Sequence, residues 1–212
     1  KEQLKEAGLV RKLPMQKVAA FDYFPDTLRT AMIGVMTKGK RDLSLVVATR
    51  DTTKEKKIRI KRKKKSLKIK EKPKKVKPKW KMKELDYGVF GEINVNLDVS
   101  PDGSSILYPK YRYGRNQSLG FDIWEVDIKT KKKTLLTNSM RANYPKYSPD
   151  GTTILFVAHS NSVSQLFIMN RDGEDLKQLT SNKEDVQIIT PAWSPDGNSI
   201  AFAQSDSDGF MD

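Results

Sequence analysis

Ser100-Pro101-Asp102-Gly103, Ser148-Pro149-Asp150-Gly151 and Ser194-Pro195-Asp196-Gly197 are one phrase written three times. The aspartates stand 48 and 46 residues apart. A fixed period in this range marks a repeat architecture. The phrase is turn chemistry. Proline fixes φ at the first corner, aspartate tolerates the second and bonds nearby N–H groups, and glycine supplies the φ > 0 that returns the chain.

Each copy has the same surroundings. Val95–Val99, Tyr144–Tyr147 and Thr190–Trp193 precede it; Ile106–Tyr108, Ile154–Val157 and Ile200–Phe202 follow. A glycine-containing turn between two β-rich runs predicts a hairpin. Two more segments complete the unit. Phe121–Ile128 matches Gln165–Asn170, and after the turns Lys129-Thr130-Lys131 and Arg171-Asp172-Gly173 come Thr134–Thr137 and Lys177–Thr180. Four short strands in about 46 residues is the blade of a β-propeller.

The phrase Pro-x-Trp/Tyr-Ser-Pro-Asp-Gly-x-x-Ile-x-Phe, later closed by Leu-Thr, resembles the TolB-type propeller repeat. Pro191–Phe202 and Pro145–Phe156 carry the resemblance best, whereas the copy at 97–108 lacks the upstream proline and the aromatic. It extends over 85–212, and more weakly over 8–50. The implied fold is all-β, a partial propeller of four-stranded antiparallel blades: about three blades plus parts of two more.

Outward from the repeat, Phe24-Pro25-Asp26-Thr27 replaces the turn phrase in a degenerate blade. Its first three strands are expected at Val18–Tyr23, Thr30–Met36 and Arg41–Ala48, and loss of the glycine implies a strained turn or one of another type. Gly8–Leu13 reads as the last strand of a preceding blade, with a short helix through Gln3–Ala7 as the alternative. The last blade stops at Asp206-Ser207-Asp208-Gly209, in the turn before its third strand. An open arc leaves unpaired strand edges, so the chain reads as a fragment of a propeller with six or seven blades.

The net charge of +14 is local. Residues 54–83 hold 18 Lys/Arg against Glu55 and Glu71, which leaves the remainder near neutral. The organisation expected is therefore 1–53, the end of one blade and a degenerate blade; 54–83, a basic insert between neighbouring blades; and 84–212, TolB-like blades with the last truncated. The insert is a long hairpin or a disordered tract, stiffened at Pro73 and Pro78. Its cations, among them Arg62, Lys63, Lys64, Lys65, Lys74 and Lys75, are the candidate contacts for an acidic protein, anionic lipid or nucleic acid. A solvated linker is the plainer reading.

Little in the sequence points to chemistry. There is no cysteine, which excludes a disulfide framework and thiolate metal sites. No run of about 18 apolar residues is present to span a membrane as a helix, and Lys1–Val10 has no apolar signal region. His159 is the only histidine, expected on a surface loop, and no Gly-x-Ser-x-Gly elbow accompanies it. Asp206-x-Asp208-Gly209 lacks the further oxygen ligands of a calcium loop and reads as a turn. Trp124, Trp193, Phe121, Phe156, Phe167 and Phe202 recur at equivalent places and are expected between stacked sheets. No catalytic, cofactor or metal residue is assigned.

The resemblance implies a non-catalytic protein-interaction scaffold, periplasmic or secreted in bacteria, whose blade-end loops and channel meet a protein partner. The family's namesake works with peptidoglycan-associated lipoprotein. The alternative is the propeller portion of a larger peptidase, prolyl-oligopeptidase-like or metallopeptidase-like, with its catalytic domain outside this chain.

Overall fold

The computed structural model describes residues 17–26, 28–35, 43–51, 79–89, 96–113, 119–160, 163–183 and 186–205. Every regular element among them is a β-strand. The first blade pairs β1 (Lys17–Tyr23), β2 (Arg29–Val35), β3 (Leu43–Asp51) and β4 (Lys79–Val89), each antiparallel to the next. The second is β5 (Asp98–Val99), β6 (Ser105–Tyr113), β7 (Leu119–Asp127) and β8 (Lys133–Leu135). The third is β9 (Asn143–Tyr147), β10 (Thr153–Ser160), β11 (Val163–Asn170) and β12 (Lys177–Gln178). A pair, β13 (Ile188–Trp193) and β14 (Ile200–Gln204), opens a fourth. One rung, Val89 opposite Lys110, joins the first two blades into a continuous ladder.

β4 changes the reading of the basic tract. The chain leaves from the end of β3 and rejoins the same blade, because Asp51 pairs with Lys79. The excursion is thus internal to one blade rather than placed between two. Lys79–Lys83 are strand residues, and the first blade runs on through Val89, past the boundary expected at 84. Lysines at 79, 81 and 83 alternate with Trp80 and Met82. That period of two is the pattern of a strand with one wet face, hidden in the sequence by the charge around it. Gly8–Leu13, Thr27, Met36, residues 54–78 and Asp206–Gly209 lie outside the described residues.

Successive blades pack face to face along three apolar seams. Ile106 and Tyr108 of β6 turn toward the first blade, against Ile33, Leu45 and Leu85. Leu107, between them in sequence, turns the other way, with Ile154, Phe156 and Ala158 of β10. Leu155 and Val157 alternate again, toward Ile188 and Trp193. A strand buried on both faces must read as an unbroken apolar run, which is why Ile154–Ala158 carries no polar residue. Phe156 and Phe167 stack with centroids 5.7 Å apart, each contributing about 1.5–3 kcal/mol by burial. Phe202, expected in a core, is 38% exposed. It occupies the place of Phe156, but β14 pairs only with β13, and among the described residues no strand takes the place of β11 on its other edge to supply the partner of Phe202.

Polar links cross the seams as well. The Asp86 side chain of β4, only 1% exposed, meets Lys110 Nζ at 2.8 Å and Lys133 Nζ at 2.5 Å, and accepts a hydrogen bond from the Tyr108 hydroxyl at 2.8 Å. Burial favours its neutral form, but these three donors outweigh it and hold the carboxyl below its ordinary range. Tyr108 moves the opposite way, upward, through burial and the facing Asp86 charge.

The three turn phrases fold alike. Ser100, Ser148 and Ser194 donate from Oγ to the aspartate two residues on, at 2.6, 2.5 and 2.6 Å. The same oxygen accepts the N–H five residues on, at 2.9 Å in each copy. Gly103, Gly151 and Gly197 take φ of +67°, +74° and +74°. In the degenerate copy Asp26 still accepts from the N–H groups of Leu28 and Arg29, and binds Arg29 Nε at 2.6 Å. The Arg29 guanidinium caps the Phe24 ring at 4.3 Å.

Candidate partner-binding cleft at the inner strands

The blades converge at their first strands: β1 touches β5, β5 touches β9 and β9 touches β13. Each first strand ends in a turn phrase, so the inner wall and the turns meet at one end of the arc. The residue two before each phrase sits on this wall. In chain order these are Asp22, Asp98, Lys146 and Ala192. Asp22 Oδ2 accepts the N–H of Val99 in the next blade at 2.9 Å, and Asp98 Oδ2 accepts that of Tyr147 at 2.8 Å. The Lys146 carbonyl accepts from Trp193 Nε1 at 3.4 Å. One position thus stitches each blade to its successor.

Between the second, third and fourth blades the wall opens into a cleft of about 290 Å³, lined by Asp98, Lys146, Tyr147, Pro149, Trp193 and Pro195 among others. Lys146 Nζ meets Asp98 Oδ1 at 2.7 Å. Burial dominates at Asp98 and raises its carboxyl above the ordinary value, with Lys146 and the Tyr147 N–H working against the rise. The cleft combines an ion pair, an indole and proline rings. Such a lining binds by shape and charge.

The strands are bent where they form this wall. Asn143 faces Val157 while Lys146 faces Leu155, so three steps on β9 oppose two on β10. β13 has the matching irregularity between Ile189 and Ala192. The bulges carry φ of +53° at Tyr144 and +50° at Thr190, each just before a proline. A residue held there costs about 1–3 kcal/mol, and a β-branched one such as Thr190 is a marked outlier. Bulges re-aim the side chains that follow, here Lys146 and Ala192.

The same end carries a second polar junction. Arg171, on the β11–β12 turn, donates from Nε to Glu125 Oε1 at 3.1 Å and from Nη2 to Ser104 and Ser105. Tyr147 donates its hydroxyl to the same Glu125 oxygen at 2.7 Å. Burial, then the Glu125 charge, push the Tyr147 hydroxyl far up, so it stays a donor.

Asp51 and Lys79, the described residues on either side of 52–78, lie at this end too. The N–H of Arg50 donates to the Leu28 carbonyl in the first blade's turn, next to the Asp51–Lys79 rung. Arg62, Lys63, Lys64, Lys65, Lys74 and Lys75 themselves lie outside the described residues. His159 is part of β10, not a loop, because the β10–β11 ladder runs to the Ser160–Val163 rung. Burial and the nearby Arg141 charge lower its pKa. Among the described residues no three of His, Cys, Asp or Glu gather as metal ligands, and no helix is long and apolar enough to cross a membrane. Asp98, Lys146 and Arg171 were not singled out by sequence; for Asp98 and Lys146 the common offset from the turn phrase was the available signal, whereas Arg171 stands in a turn.

Comparison with known proteins agrees with this architecture. Residues 86–211 match the TolB beta propeller domain family, more than half of the chain. The "Uncharacterized peptidase YuxL" of Bacillus subtilis is 33% identical over 113 residues, 52% of this chain and 17% of that protein. The "Tol-Pal system protein TolB" of Anaeromyxobacter dehalogenans is 36% identical over 93 residues, 44% of this chain and 20% of that protein. The chain therefore spans about a fifth or less of these relatives. The crystal structure of TolB from Acinetobacter baumannii superposes with a TM-score of 0.59 at 17% identity, over 92% of this chain and 42% of that one. With its repeated turns, stacked four-stranded sheets and matching inner strands, the chain belongs to the TolB beta propeller domain family.

Proposed function

We propose that the chain is part of a non-catalytic interaction scaffold of the bacterial envelope, periplasmic or secreted, that receives a protein partner at the inner-strand cleft. The observation that carries this reading is the cleft itself. Three successive blades contribute the same positions, and together they present an ion pair, Trp193 and an open mouth. Relatives named as Tol-Pal system proteins support it. The basic tract, Arg62–Lys65 with Lys74 and Lys75, is proposed to draw an anionic partner toward this end by long-range attraction.

The test uses the full-length protein and the soluble domain of a peptidoglycan-associated lipoprotein. Isothermal titration should show binding that Ala192→Arg weakens at least tenfold, while Leu176→Arg, on the outer side of the third blade, leaves it unchanged. Binding indifferent to Ala192→Arg would remove the cleft from the reading.

A second reading has its own support in the relative named as a peptidase. In it, these blades belong to a larger hydrolase whose reactive groups lie elsewhere. Hydrolysis of a proline-containing chromogenic peptide by the full-length protein, unchanged by Ala192→Arg, would favour that second reading.

A further inference from the structure

The end of the arc opposite the turn phrases carries a different surface. The β6–β7 ladder runs one rung further than β10–β11, through Tyr113 opposite Leu119, and its connection is longer. Because partners on a ladder share a face and alternate residues share it too, Tyr111, Tyr113, Leu119 and Phe121 form one apolar face. That face continues the strip of Leu107 and Ile123, which is core lower down. Past the rim it loses its cover: Tyr113 is 74% exposed and Leu119 52%. Tyr111 and Phe121 pack edge to face at 6.1 Å, one step down the same face.

Among the described residues the exposed charge at this end has one sign; Asp122, further down β7, is buried and accepts the N–H groups of Ser139 and Met140. Arg112 alternates to the opposite face and, among the described residues, donates to the neutral Asn138 at 3.1 Å. Arg141 is exposed and lies over Gly120. Neither Asp nor Glu occurs among the described residues from 109 to 121 or from 138 to 143. We propose that the outer end of the β6–β7 ladder is a membrane-surface contact: Tyr113 and Leu119 enter the headgroup layer of an anionic bilayer while Arg112 and Arg141 pair with lipid phosphates. Charge complementarity selects an anionic surface. An exposed tyrosine and leucine on one face, with arginines beside them, suit the layered polarity of a lipid surface. Tyrosine is at home at such an interface, and arginine supplies charge while its stem stays with the apolar layer.

The experiment places an environment-sensitive fluorophore on Tyr113→Cys in the full-length protein; this stretch contributes no competing thiol. A second label on Thr152→Cys reports the other end. Phosphatidylcholine vesicles containing phosphatidylglycerol should blue-shift the label at 113 and leave that at 152 unchanged, and pure phosphatidylcholine should do neither. In the labelled protein, Leu119→Ser should lower partitioning about tenfold, and Arg112→Gln several-fold. The proposal is overturned by an unchanged label at 113. It is overturned equally by the same shift with soluble polyglutamate, which would mean an acidic protein partner. A response at 152 instead would assign lipid binding to the basic tract. A label at 113 already shielded without vesicles would mean that another part of the chain covers the tip.

Discussion

Arg171 Nε donates to Glu125 Oε1 at 3.1 Å, although the two residues belong to different blades and are 46 positions apart. The pair is one period long, so it ties a turn to the sheet before it. Its guanidinium also lies 5.4 Å from the centre of the Tyr147 ring. Arg171→Ala should cost about 1.5–3 kcal/mol, the worth of hydrogen bonds to a charged group. A urea-denaturation double-mutant cycle with Glu125→Gln should return a coupling of about 1 kcal/mol or more. Additive losses would mean that the two side chains act independently.

Gly151→Ala tests the turn. The residue sits at φ +74°, and an added Cβ would lie 3.4 Å from Pro101 Cδ. Left-handed backbone costs an L-residue about 1–2 kcal/mol, with little steric penalty to add. Gly197→Ala, at the same φ but 3.6 Å from Pro149, should lose the same amount within error. Unequal losses would show that the proline contact, not φ, sets the cost.

The turn aspartates give the fold an acid limit. Asp102, Asp150 and Asp196 are held below the ordinary carboxyl range, chiefly by the serine hydroxyl and then by the N–H two residues on. A depressed folded-state pKa stabilises fully above the unfolded value of about 3.9 and is lost as pH falls through the folded one. The urea midpoint should therefore drop as pH is lowered below about 4. Asp150→Asn should start lower at neutral pH and lose less on acidification.

Asp86→Ala examines the seam between the first two blades. It leaves the buried Tyr108 hydroxyl without its acceptor, while Lys110 and Lys133, each partly exposed, turn to water. The expected loss is about 1–3 kcal/mol. Tyr108→Phe in the Asp86→Ala background should recover part of it, since the stranded hydroxyl is then gone. No recovery would place the cost in the lysines.

The repeat was legible because its chemistry is local. Proline, aspartate and glycine dictate a corner wherever they stand together, and 48- and 46-residue spacings then force stacked sheets. The closing Leu-Thr also has a physical role: Thr137 and Thr180 hydroxyls accept the N–H of Ile123 and Leu166 and donate to Asp122 and Gln165. What stayed hidden depended on the third dimension. β4 was masked because the alternation of its lysines with Trp80 and Met82 is submerged in the charge run before it. Phe202 looked like core because its neighbour in the repeat is core. Asp98 and Lys146 are unremarkable in sequence and meet only when two first strands lie side by side. Arg171 sat in a stretch that reads only as a turn.

The turns touch each other in a fixed direction. Gly103 lies against Pro25, Gly151 against Pro101 and Gly197 against Pro149. Each corner offers its ring forward and receives one from behind, like paving stones with a tongue and a notch. A gene that gained or lost one such module by unequal exchange would present the same two mating surfaces at the junction. Rings of different circumference are therefore reachable in single evolutionary steps, without inventing a new seam.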